Sequence, residues 1–191
     1  MGLWGKSTSA ESRPKFLGGD GAQGAGGAKE DAFASAKGWA LRPGTAASGN
    51  DNTSADAEVL VAIGDLSATL GAANCLSADF TAGEYARGET FDIVLTFDEA
   101  ITVTSAAWSA DQVISNKVYF DIDNYGPTDM ASDGGLKMQY YAGSGTNKLT
   151  FRGTIPNTAV AGGRLGHGTY TLGTNGSSAL VDGNGTAVTE G

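Results

Sequence analysis

The chain has 191 residues, 30 of them glycine, a net charge of -9 and a single cysteine. That length allows one ordinary domain plus an extension, and the 40% hydrophobic content excludes full disorder. Cys75 has no second cysteine to pair with, which excludes an internal disulfide and suits assembly in a reducing cytoplasm.

The charge is uneven along the chain. Residues 1–55 carry six Lys/Arg and five Asp/Glu, whereas the remainder carries six basic and sixteen acidic residues. An acidic domain repels phosphates and anionic lipid, which argues against direct binding of nucleic acid or membrane. No run approaches 18 apolar residues, no signal peptide is visible at the start, and Lys6 stands where N-myristoylation wants Ser or Thr.

In chain order, residues 1–71 read as an extended, Gly/Ala-rich arm. The run Gly18 to Ala28 is nearly all Gly and Ala and is expected to be flexible in isolation. Trp4, Phe16 and Trp39 punctuate the arm, with Leu17 and Leu41 beside two of them and Arg13 close to Phe16. A pure linker has no use for such anchors, so these residues are the candidates for docking the arm on a partner or on its own domain. Lys29 to Lys37 is rich in Ala and charge and predicts a short helix capped by Gly38. Glu58 to Ile63 predicts the arm's one short strand.

The pattern from there on is β. Phe91, Ile93, Leu95 and Phe97 alternate with Asp92, Val94 and Thr96, the period of a half-buried strand. Further strands are predicted at Ile101 to Thr104, Val118 to Asp123, Leu136 to Tyr141, around Leu149 and Phe151, at Thr169 to Leu172 and at Thr186 to Thr189. Turn residues at Gly143 to Asn147 and Asp182 to Gly185 separate them. About seven short strands without helical spacing predict an all-β sandwich over residues 72–191.

No catalytic or metal-binding pattern emerges. His167 is the only histidine and no Gly-x-Ser-x-Gly elbow occurs. Asp121 to Gly126 starts like a calcium loop, but position twelve is Ser132 rather than Glu. The expectation is therefore no enzyme activity, no metal and no cofactor.

Three segments resemble the immunoglobulin-like repeats of bacterial and phage surface proteins. They are Thr96 to Thr104, Gly143 to Phe151 and Leu180 to Gly185. The resemblance implies an immunoglobulin-like antiparallel sandwich behind the N-terminal arm. The segments Trp4-Gly5-Lys6, Arg13 to Leu17, Gly38 to Leu41 and Glu58 to Ile63 resemble the start of virion structural proteins of marine tailed phages, including cyanophages. That resemblance implies a virion structural protein attached by the arm and displaying the domain; the leading expectation is a non-enzymatic capsid decoration or cement protein assembled in the host bacterial cytoplasm. Its partners would be the major capsid protein or other virion proteins, with multiple copies per particle. A collar, tail-tube or fibre-associated position is the alternative. A third reading is a carbohydrate- or cell-surface-binding module that stacks its ligand on Trp108, Tyr119, Tyr125, Tyr140 or Tyr141.

Overall fold

The computed structural model describes residues 31–45, 48, 50–70, 72–125, 132–157 and 162–188. The fold is all-β. Its strands are β1 (Ala32–Ser35), β2 (Gly38–Leu41), β3 (Glu58–Ala62), β4 (Cys75–Phe80), β5 (Thr90–Thr104), β6 (Val118–Tyr125), β7 (Ser132–Ala142), β8 (Thr146–Thr154), β9 (Arg164–Thr174) and β10 (Ala179–Val181). One helical turn, α1 (Leu66–Thr69), follows β3.

The main sheet runs β4-β5-β8-β7-β6-β9, with every neighbouring pair antiparallel. Strand β5 carries the predicted alternation. Phe91, Ile93, Leu95 and Phe97 are at most 4% exposed, and Leu149 and Phe151 of β8 meet them on the same face. The rings of Phe120 and Phe151 lie 5.9 Å apart although β7 runs between their strands. Adjacent strands sit about 4.8 Å apart, so the two rings reach toward each other across two strand spacings. The inward face of the sheet packs into one core, completed by Leu180 of β10 and by Val188, which gives the region a sandwich-like form.

Strand β5 does not end where the sequence suggests. The polar stretch Asp98-Glu99 separates two predicted strands, yet β5 runs through it with a register shift between Thr96 and Ile101. Beyond the shift β5 pairs with β10 at Thr102 to Thr104, and at Glu99 it pairs in parallel with Ala34 of β1.

Residues 32–69 hold more ordered structure than a single strand in an arm. The predicted helix over Lys29 to Lys37 is corrected, for its described part, to a hairpin of β1 and β2. Ala composition favours a helix, but Ala32, Phe33 and Ala34 are all fully buried, which a strand covered on both faces provides. Gly38 opens β2 directly after the two-residue turn Ala36-Lys37 and is not a helix cap. Its φ is +126°, and a Cβ there would sit 2.1 Å from the Val61 carbonyl oxygen. Strand β3 pairs with β2, and Trp39, Ala34, Leu66 and Leu70 form a second, smaller core. The predicted strand at Thr186 to Thr189 reduces, in its described part, to a bridge between Ala187 and Val181.

Candidate functional site

The outward face of the main sheet carries a polar-aromatic row. Register places Gly173, Tyr119, Gln139, Arg152 and Asp92 side by side across β9, β6, β7, β8 and β5. Arg152 binds Asp92 with two 2.7 Å hydrogen bonds, from Nε and Nη2 to the two carboxylate oxygens. This bidentate bond is the main reason its guanidinium is held above the ordinary arginine range.

A register shift between Tyr140 and Ala142 shapes the next step of the row. Tyr140 packs inward on Phe151, and its hydroxyl accepts a 2.8 Å bond from the Ser144 amide. Tyr141 turns outward, is 47% exposed, and lies under Arg152 with the guanidinium 3.7 Å from its ring centroid. Bulges commonly re-aim a side chain in this way.

Residues 105–117 form a loop that lies over this face. Trp108 meets Tyr141 edge to face at 6.3 Å, and its indole Nε1 donates to the Arg152 carbonyl at 3.1 Å. The loop is clamped by buried polar groups. Lys117 is 6% exposed and donates to Gln139 Oε1 at 2.7 Å and to Ser109 Oγ. Gln139 Oε1 also accepts the Ser109 amide, and Gln112 donates to the Thr154 carbonyl at 2.8 Å. Asp111, exposed at the loop tip, has its carboxyl held below the usual range, chiefly by the Ser109 hydroxyl and then by the Val113 amide.

Beside the aromatic pair opens a shallow cleft of about 210 Å³, lined by Thr81, Tyr85, Thr90, Phe91, Asp92 and Arg152. Hydroxyls, a carboxylate, a guanidinium and aromatic edges therefore converge on one open surface. Such a surface can hydrogen-bond a polar ligand laid against the aromatic edges.

Of the five aromatics predicted as stacking residues, the structure brings together Trp108 and Tyr141. Tyr140 belongs to the core, while Tyr119 covers Gly173 and receives Lys137 at 4.8 Å. The side chain of Tyr125 lies outside the described residues. No motif in the sequence marks Asp92 and Arg152. Their only signal is alternation, which places both on outward strand positions.

Among the predicted docking residues, Trp4, Arg13, Phe16 and Leu17 lie outside the described residues. Trp39 and Leu41 are 2% and 1% exposed, buried by this chain's own segments. Among the described residues no group of three or more His, Cys, Asp or Glu is placed to hold a metal ion. No helix of the described residues is long and apolar enough to cross a membrane. Comparison with protein-family models, with curated proteins and with solved structures gave no match.

Proposed function

We propose that this chain is a non-enzymatic structural protein of a tailed-phage virion, a decoration or cement protein that docks through its N-terminal region and displays an immunoglobulin-like domain. One observation carries the reading. Strand β3 ends the sheet path, pairs only with β2 among the described residues, and leaves Val59 40% exposed. An edge of Glu-Val-Leu-Val-Ala, without Lys or Pro to block it, offers its main chain to a strand of a neighbouring subunit. This edge is also one of the segments that carry the virion resemblance. Trp4, Arg13, Phe16 and Leu17 would add anchors on the capsid protein, and repetition over many copies would multiply a modest contact.

The test is re-binding of the purified chain to particles stripped of it. Trp4→Ala/Phe16→Ala/Leu17→Ala and, separately, Val59→Lys should lower occupancy at least tenfold without moving the melting temperature. Wild-type occupancy for both variants overturns the docking assignment.

The Trp108–Tyr141 pair favours a second reading, a module that binds carbohydrate on a cell surface. A glycan array separates the two. Retention of a defined glycan by the wild-type chain, lost in Tyr141→Ala, supports the second reading, and no retention removes it.

A further inference from the structure

Glu99 is fully buried in a strand, and neither of its carboxylate oxygens makes a hydrogen bond of normal geometry. It sits on the seam between the β1–β3 layer and the sandwich. On one side it pairs in register with Ala34 of β1. On another lies the turn after β10, where Asp182 is 3% exposed and has one unpaired buried oxygen, Oδ2. The other Asp182 oxygen accepts the amides of Asn184 and Thr186 at 2.9 and 2.8 Å. Helix α1 packs on the same turn so closely that a Cβ on Gly183 would meet the Ser67 side chain at 2.3 Å. Other charged groups beside the seam have partners of their own. Asp98 accepts two bonds from Asn74, and Lys148 pairs with Asp31 at 3.3 Å.

We propose that Glu99 is a proton-operated latch. In its neutral form it seats the β1–β3 layer on the sandwich. Ionised, it loosens that layer while the sandwich stays folded. The inference rests on the seam alone and stands or falls apart from the virion reading. A buried carboxylate with no hydrogen bond of normal geometry is costly, and the acidic groups that face this one, Asp182 and Asp98, carry the same sign. Burial, then Asp182, and more weakly Asp98 push the Glu99 carboxyl up from 4.5 to about 7, with the Gly183 amide opposing. The folded value lies above the unfolded one. The stabilisation is therefore full below about 4.5 and is lost as pH rises through about 7.

Trp39 reports on the layer directly, being 2% exposed within it. In the full chain carrying Trp4→Phe and Trp108→Phe, acrylamide quenching of Trp39 should rise severalfold between pH 5.5 and 8.5, with a midpoint near the value for Glu99. Glu99→Gln, which keeps the shape and stays neutral, should hold quenching at the low-pH level throughout. Asp182→Asn should move the midpoint to lower pH, because one facing charge is removed. The difference between wild type and Glu99→Gln isolates Glu99 from every other titrating group, the lone His167 included. Quenching that is flat across the range in wild type, or that rises equally in Glu99→Gln, overturns the latch.

Discussion

Two glycines illustrate how single residues set this fold. Gly143 has φ +109°, and a Cβ there would lie 2.0 Å from the Lys148 carbonyl oxygen in the β7–β8 turn. Gly185 also has positive φ, at +77°, but faces open space. Gly143→Ala combines backbone strain with a collision against main chain and should cost about 2–4 kcal/mol. Gly185→Ala carries the strain alone and should cost about 1 kcal/mol. Urea denaturation of the two variants checks the ordering, and equal losses would contradict it. The outward aromatics follow the same logic of burial. Phe151→Ala opens a cavity in the core and should cost about 3–5 kcal/mol. Tyr141→Ala, at 47% exposure, should stay within about 1 kcal/mol of wild type. That separation is what makes Tyr141 a clean probe of ligand binding.

At the scale of elements, legibility in the sequence follows the physics of each strand. The Phe91 to Phe97 run is readable because one face is core and the other faces out, so period 2 appears directly. Strand β1 is not readable, because Ala32-Phe33-Ala34 is buried on both faces and carries no alternation. Its alanines then resemble a helix. Glu99 is hidden for a related reason. A polar Asp-Glu pair between two apolar runs reads as a turn, and only the layer packed on top of it makes it interior. The Trp108 contact with Arg152 spans 44 residues of sequence, so no local signal could announce it. The buried hairpin also changes how the anchors should be tested. Trp39→Ala removes a large side chain from the smaller core and should itself cost about 3–5 kcal/mol. Thermal melting shows this as a lower midpoint, and an unchanged midpoint would mean that Trp39 is not packed as described. Particle-binding variants therefore leave Trp39 intact and change Trp4, Phe16 and Leu17.

At the scale of the whole molecule, the larger core draws, among the described residues, on none before Ala73. A fragment of residues 72–191 should thus unfold cooperatively by itself. It should also lose the fall in stability towards alkaline pH, since removing the β1–β3 layer opens Glu99 to water. Melting curves of the fragment and the full chain at pH 5.5 and 8.5 check both statements, and a fragment without a cooperative transition would contradict the first. The smaller layer then has a distinct place in the account. It joins the sandwich at a seam and ends in β3, an edge that pairs only with β2 among the described residues. The central claim is that this edge and the segment before it hold the chain on a virion. It is tested most directly by a quantitative mass-spectrometric inventory of purified phage particles from the source of the chain. The account predicts the chain in many copies per particle, in a fixed ratio to the capsid protein. Its absence from intact, purified particles would contradict the account.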